Sequence, residues 1–260
     1  MERVAVITGA SSGIGAQLAQ IFAENGHRIA LVGRRKGRLE ELAQEIVGRG
    51  AARPIVICCD LESVDAGDKI NTALELERVE IEYLVNCAGY GIFGDASDQD
   101  YDEQLGMISV NVRAVTDLCL RFSDSLIRNG GGILNVGSIA GFLPGPGMAV
   151  YYASKAYVMS FTESLRSELK HRGVRVTLLC PGPVQTEFQD RAGVGRSGDV
   201  AILEVSAAEV ALAGYRGLMA NKSMVMPGLG VKFIPMVLRF LPRSAVSAAV
   251  RRFQLRKHRK

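Results

Sequence analysis

Short, unbroken apolar runs alternate with longer amphipathic stretches along most of this chain, and few folds accept that alternation. The first run covers residues 4–10 and is followed by glycines, then by Ile14, Leu18, Ile21 and Phe22 at helical spacing. That order reads as strand, tight turn and helix. Further strand-like runs fall at residues 28–33, 54–59, 83–87, 132–136, 174–180 and 224–226, with helical periodicity at 39–47, 101–126, 153–170 and 207–219. Strands that lack polar alternation need both faces covered, and strands separated by helices need crossover connections. The expected fold is therefore α/β: a doubly wound, Rossmann-like parallel sheet of about seven strands with helices on both faces. Ligands on such a sheet bind outside the carboxyl ends of the strands, where Gly9, Gly89 and Gly182 fall.

The chain of 260 residues is read as one Rossmann-like catalytic domain, residues 1–260. Within it, residues 187–205, rich in glycine and polar residues, are expected to form a substrate lid, and residues 228–260 a basic, apolar C-terminal extension. A content of 48% hydrophobic and 22% charged residues excludes a disordered chain. The five cysteines are odd in number, show no C-x-x-C spacing and sit mostly in apolar runs, and the three histidines are scattered. Neither a disulfide framework nor a metal site is expected. A strand-like run that starts at Val4 leaves no space for a signal peptide, so a soluble, cytoplasmic protein is expected.

Three constellations carry chemistry. The first is TGASSGIG, residues 8–15, between the first strand and the first helix. In it Gly9 permits a tight turn, Gly13 lets the backbone approach a pyrophosphate and Gly15 lets the helix pack closely on the sheet, so Ser11, Ser12 and Ile14 should border a dinucleotide. An ordinary glycine-rich turn is the plainer alternative. The second constellation follows the second strand, where an acid would hold the ribose 2′-hydroxyl of NAD; here Arg34, Arg35 and Lys36 stand instead. A cationic cluster suits a 2′-phosphate, with Arg34 leading because a guanidinium makes paired hydrogen bonds to phosphate oxygens. A solvated cluster is the alternative, and positive charge at a helix start disfavours it slightly. Asp60 could accept a hydrogen bond from an adenine amine or serve as an N-cap. The third is Tyr151 with Lys155 four residues on, preceded by Ser138 at the end of the fifth strand. Residues four apart share a helical face, so the ammonium is expected near the phenol, favouring its anion. Tyr152 should face another side and pack.

The string TGASSGIG, Asn86-Cys87-Ala88-Gly89 after the fourth strand, Asn111, Ser138, Tyr151 with Lys155, and the segment PGPVQT at residues 181–186 together resemble the classical short-chain dehydrogenases/reductases, NADP-preferring in this case. The resemblance runs in order from about residue 3 to 227, and Cys87 departs from it where the family usually has a second asparagine. It implies a catalytic set of Asn111, Ser138, Tyr151 and Lys155. Ser138 would orient a substrate carbonyl, Tyr151 would protonate it, Lys155 would also bind the nicotinamide ribose, and Asn111 would hold a water that relays protons to Lys155. It also implies that the glycine loop, Arg34, Arg35, Asp60, Leu61, Asn86, Ala88, Gly89, Tyr151, Lys155, Pro181, Gly182, Val184 and Thr186 bind NADP(H).

The expected activity is an NADP(H)-dependent interconversion of a carbonyl and a secondary alcohol. The flanks of the expected pocket, including Tyr90, Phe142, Leu143, Met148 and Phe188, are mainly apolar, which suits a 3-oxoacyl, steroid-like or xenobiotic ketone. A catalytically silent NADP(H)-binding sensor or a membrane-surface protein on the same fold is the alternative. The formal charge of +4 hides an asymmetry, since residues 210–260 hold eleven Lys/Arg and no Asp/Glu. Residues 226–241 are too interrupted to span a membrane. Residues 244–260 read as a basic amphipathic helix, Ala245, Ala249, Val250 and Phe253 opposing Arg251, Arg252, Arg256 and Lys257. That helix could rest on anionic lipid, pack across an oligomer interface or be solvated. The resemblance implies a homodimer or homotetramer with a small-molecule substrate, and no nucleic-acid partner is expected.

Overall fold

A computed structural model describes residues 1–192, 205–228, 230–238 and 240–258. Seven strands, β1 (Glu2–Thr8), β2 (Arg28–Gly33), β3 (Ile55–Cys58), β4 (Val79–Asn86), β5 (Gly132–Val136), β6 (Arg175–Leu179) and β7 (Met224–Val225), form one sheet in the order β3-β2-β1-β4-β5-β6-β7. Every pairing is parallel, with β1 at the centre between β2 and β4. The expected fold class is observed.

Side chains on β1 alternate between two cores, as the period of two in a strand requires. Ala5 and Ile7 pack with Leu18 and Phe22 of α1 (Gly13–Glu24), Leu39 and Ile46 of α2 (Lys36–Gly48) and Val210 and Leu218 of α9 (Ala207–Met219). Val4 and Val6 face the other side, where Ile70 and Leu74 of α3 (Ala66–Leu76), Met107 of α4 (Tyr101–Ile108), Leu118 of α5 (Val115–Arg121), Leu126 of α6 (Ser123–Arg128) and Leu165 of α7 (Ala149–Leu169) close the second layer. With Val4 to Ile7 at most 1% exposed, neither face of β1 meets water. This explains its unbroken apolar run.

Local signals set several helix limits. The Asp100 carboxylate accepts from the Glu103 N–H at 2.8 Å and caps α4, while Ser206 and Glu209 form a capping box on α9. Three features depart from the expected elements. α3 was not among the periodic stretches, although Ile70 and Leu74 lie one turn apart on its buried side. The stretch at 101–126 is not one helix: a π-helical turn, Ser109–Ala114, separates α4 from α5, and Phe122 interrupts the chain before α6. The expected lid begins as α8 (Glu187–Ala192), and residues 193–204 of it lie outside the described residues. Beyond β7 come α10 (Ile234–Leu238) and α11 (Arg243–His258).

Candidate active site

The carboxyl ends of the central strands open onto a cavity of about 890 Å³. Its floor at one end is the loop from β1 to α1. Gly9 takes a φ of +68°, and a Cβ there would sit 2.8 Å from the backbone of Ala88. A Cβ on Gly15 would collide with the Gly9 carbonyl oxygen, so the loop can fold back on itself only with glycine at both positions. Thr8 ties this loop to the end of β4: its hydroxyl accepts from the N–H groups of Cys87 and Ala88 at 3.0 and 3.1 Å and donates to the Val85 carbonyl.

Ser12 enters α1 in extended conformation without a side-chain cap, and the first turn holds no acid. The N–H groups of that turn, at the positive end of the helix dipole, are available to an anion. A side chain on Gly13 would meet Thr186 at 3.1 Å, so the gap between the helix start and the loop after β6 stays open because residue 13 is glycine. This cradle fits the pyrophosphate of a dinucleotide.

Arg34 and Arg35 border the same cavity where β2 ends. Arg34 lies 3.7 Å from Asp60 and 3.5 Å from Glu62. Arg35 donates to the Ser11 hydroxyl at 3.1 Å and to Glu187 of α8 at 2.7 Å, so it bridges the glycine loop to the start of the lid segment. The Glu187 carboxyl is held below its ordinary pKa chiefly by the hydrogen bond from Arg35. These pairs are solvent-exposed, with both guanidinium groups 45% accessible, and contribute little stability. A phosphate can replace the carboxylates at small loss.

At the other end stand Ser138, Tyr151 and Lys155. Ser138 follows β5 and accepts from the Ala140 N–H at 3.1 Å. Tyr151 and Lys155 lie one turn apart in α7, with the Lys155 ammonium 5.8 Å from the Tyr151 ring centroid. Lys155 Nζ donates to the Val136 carbonyl at 3.0 Å. Burial pushes the Tyr151 phenol up to about 12, against the opposing effect of its hydrogen bond with Ser138. Burial also draws Lys155 down to about 8, opposed by the Cys87 and Cys180 thiols beside it. The expected lowering of the Tyr151 pKa by Lys155 is thus not observed: desolvation dominates, and the ammonium donates to the carbonyl at the end of β5. Cys87 and Cys180 are themselves pushed up to about 12 by burial and remain neutral thiols.

Gly9, Ser11, Ser12, Gly13, Ile14, Gly15, Arg34, Arg35, Asp60, Leu61, Ala88, Gly89, Pro181, Gly182, Val184 and Thr186 all border the cavity with the Ser138, Tyr151 and Lys155 group. Asn86 and Asn111 are not among the lining residues. Asn86 is 3% exposed and donates to Asn135 Oδ1 at 2.8 Å and Cys119 Sγ at 3.2 Å, while its own Oδ1 is buried without a hydrogen-bond partner. It belongs to a polar network beneath the sheet's end. Asn111 lies in the π-helical turn; its Nδ2 donates to the Tyr90 carbonyl and the Ser154 hydroxyl at 2.9 and 3.0 Å, and its Oδ1 accepts from the Tyr90 N–H. Those bonds fix the loop carrying Gly89 and Tyr90.

Sequence reasoning also missed two walls. Tyr152, read as packing alone, borders the cavity, as do Ala249 and Val250 of α11. Val246 of α11 is 7% exposed. Part of the C-terminal helix, at Val246 and Val250, therefore packs on its own chain while Ala245 and Ala249 stay exposed, a contact that the three readings of that helix did not include. The signal was present in the spacing of Val246, Ala249 and Val250, but nothing in a sequence says which surface an amphipathic helix covers.

Residues 3–196 match the family model for short chain dehydrogenases. A sulfoacetaldehyde reductase of Chromohalobacter salexigens is 38% identical over 191 residues, covering 72% of this chain and 75% of that protein. Carbonyl reductase family member 4 of Danio rerio is 30% identical, covering 72% and 78%. Among solved structures, a short-chain dehydrogenase from Sphingobium yanoikuyae in complex with NADPH aligns with a TM-score of 0.81 and 31% identity over 92% of each chain. One from Burkholderia phymatum in complex with NAD aligns with a TM-score of 0.79 and 25% identity over 92% of each chain. The chain belongs to the short-chain dehydrogenase/reductase family of oxidoreductases.

Proposed function

We propose that this protein is an NADP(H)-dependent reductase that converts the carbonyl of a hydrophobic substrate to a secondary alcohol. The observation that carries the reading is one cavity holding both a dinucleotide cradle flanked by Arg34 and Arg35 and, at its far end, Ser138, Tyr151 and Lys155 among Leu143, Met148, Tyr152 and Phe188. Arg34 and Arg35 suit a 2′-phosphate, and Asp60 and Leu61 border the adenine end. When bound, the nicotinamide supplies hydride chemistry.

The chain's own groups supply the rest. Tyr151, protonated at neutral pH, donates a proton to the carbonyl oxygen as negative charge develops there. Ser138, hydrogen-bonded to Tyr151, holds that oxygen in line with the phenol. Lys155 offsets the charge left on Tyr151. Asn111 acts as a positioning residue through Tyr90 and Ser154. The apolar wall suits 3-oxoacyl, steroid-like or xenobiotic ketones. We read the exposed Leu105, Ile108, Leu120 and Tyr157 of α4, α5 and α7 as a contact face for further copies of the chain, in a homodimer or homotetramer.

The test follows NADPH oxidation optically against 3-oxoacyl thioesters, steroid ketones and aromatic diketones, with NADH and Tyr151→Phe as controls. Turnover that requires NADPH and falls about 10³-fold in Tyr151→Phe is expected. Undiminished turnover in that variant, or equal use of NADH, would overturn the proposal.

A further inference from the structure

Between β7 and α11 the chain presents a cluster of large apolar side chains to solvent. Phe233 is 58% exposed, Met236 57%, Val237 53%, Phe240 81% and Leu241 47%. They fall within nine consecutive positions centred on α10, which lies against the short turn Ile139–Phe142 that follows Ser138. Folding into this chain's own core does not explain them. The inward-facing residues nearby are Val231 and Val246, at 0% and 7% exposure, and these satisfy the local packing. Contiguous exposed apolar groups of this size mark a contact surface.

The surrounding charge selects the partner. Lys232 and Arg243, both exposed, flank the apolar cluster in the chain, and Arg251 and Arg252 of α11 are exposed as well. Residues 210–260 contain no Asp or Glu at all, whereas the first 209 residues hold all 27 acids against 20 bases. An apolar cluster set in an exclusively basic segment is complementary to a surface that is apolar beneath and anionic on top. No described helix is long and apolar enough to cross a membrane, so such a contact is interfacial. A second copy of the chain would bring the same basic segments together with no acids to offset them.

We propose that the exposed residues Lys232, Phe233, Met236, Val237, Phe240, Leu241 and Arg243 form a docking surface for an anionic lipid bilayer, with Phe233, Met236, Phe240 and Leu241 entering the acyl boundary and Lys232 and Arg243 meeting the headgroups. The surface adjoins elements of the cavity wall, because α11, which follows it, lends Ala249 and Val250 to that wall and α10 rests beside the turn after Ser138. A lipophilic substrate dissolved in the bilayer would reach the site without crossing bulk water. Docking itself does not depend on the proposed reaction, and its test reads partition instead of turnover.

The test is sedimentation of the full chain with vesicles of phosphatidylcholine alone and of phosphatidylcholine with phosphatidylglycerol, at low and high salt, for the wild type and for Phe233→Ser/Phe240→Ser. Partition onto the anionic vesicles, weakened by salt and reduced at least about tenfold in the double variant, is expected. Circular dichroism and unchanged NADPH affinity check that this variant is folded. The proposal is overturned if the wild type stays in the supernatant with anionic vesicles at low salt, or if both vesicle types bind it equally. It is also overturned if the same substitutions instead dissociate an oligomer that has no affinity for vesicles.

Discussion

Lys155 is 6% exposed, and its ammonium is drawn from 10.5 down to about 8 because burial removes its hydration. That displacement corresponds to roughly 3 kcal/mol of folded-state destabilisation of the charged form at neutral pH. Lys155→Met keeps an unbranched stem of similar length and removes the charge. The substitution also removes the hydrogen bond to the Val136 carbonyl, a loss of about 1 kcal/mol. In the absence of nucleotide the variant should therefore be more stable than the wild type by about 2 kcal/mol at pH 7 while losing turnover. The sign of the pH dependence follows from which state holds more protons. Between pH 8 and 10.5 the unfolded chain keeps the Lys155 proton that the folded chain releases, so wild-type stability from this group rises with pH. The advantage of the variant should shrink over that window and reverse above it, leaving the variant less stable by the roughly 1 kcal/mol of the lost hydrogen bond. Urea denaturation of both proteins from pH 6.5 to 10.5 measures the difference, and other titrating groups cancel in it. A variant less stable than wild type at pH 7, or a gap that stays constant across the window, would refute the reasoning.

Glu187→Gln should tighten NADPH several-fold while leaving NADH nearly unchanged, because Arg35 would no longer be shared with a carboxylate; fluorescence titration with both nucleotides decides it. Carbonyl reduction should decline as pH rises through about 8, where Lys155 loses its proton and Tyr151 loses the charge that offsets its anion; a pH profile of kcat that is flat to pH 9.5 would contradict that role. Gly15→Ala places a methyl group on the Gly9 carbonyl, which can yield only by moving backbone. A loss of about 2 kcal/mol in denaturation and at least tenfold weaker NADPH binding are expected.

The strand at 28–33 and the helix at 207–219 were legible to the residue from their apolar patterning, and in the structure a capping box fixes the start of the helix. The glycine loop and the pair Tyr151 with Lys155 were legible because their chemistry depends on short, fixed spacing along the chain. Residues whose meaning lies in long-range contacts were not. Asn86 was a cofactor residue only by the family resemblance; its three successors in the chain line the cavity, while β4 turns its own side chain toward Asn135 and Cys119. Asn111, whose relay role came from the family resemblance alone, is brought by the π-helical turn to the backbone of Tyr90, 21 positions earlier.

By itself the sequence determined the layers and the cofactor end: unbroken apolar runs demand a sheet covered on both faces, and Gly9, Gly13 and Gly15 leave room for a pyrophosphate. Only the tertiary structure decided the electrostatics of the catalytic end. Burial raises Tyr151 and lowers Lys155, and no local pattern records how much water surrounds a side chain. It also decided that α11 buries Val246 and borders the cavity with Ala249 and Val250 while Phe233, Met236, Val237, Phe240 and Leu241 face out. An amphipathic segment specifies that it has a face to cover, and only the assembled chain determines what covers it.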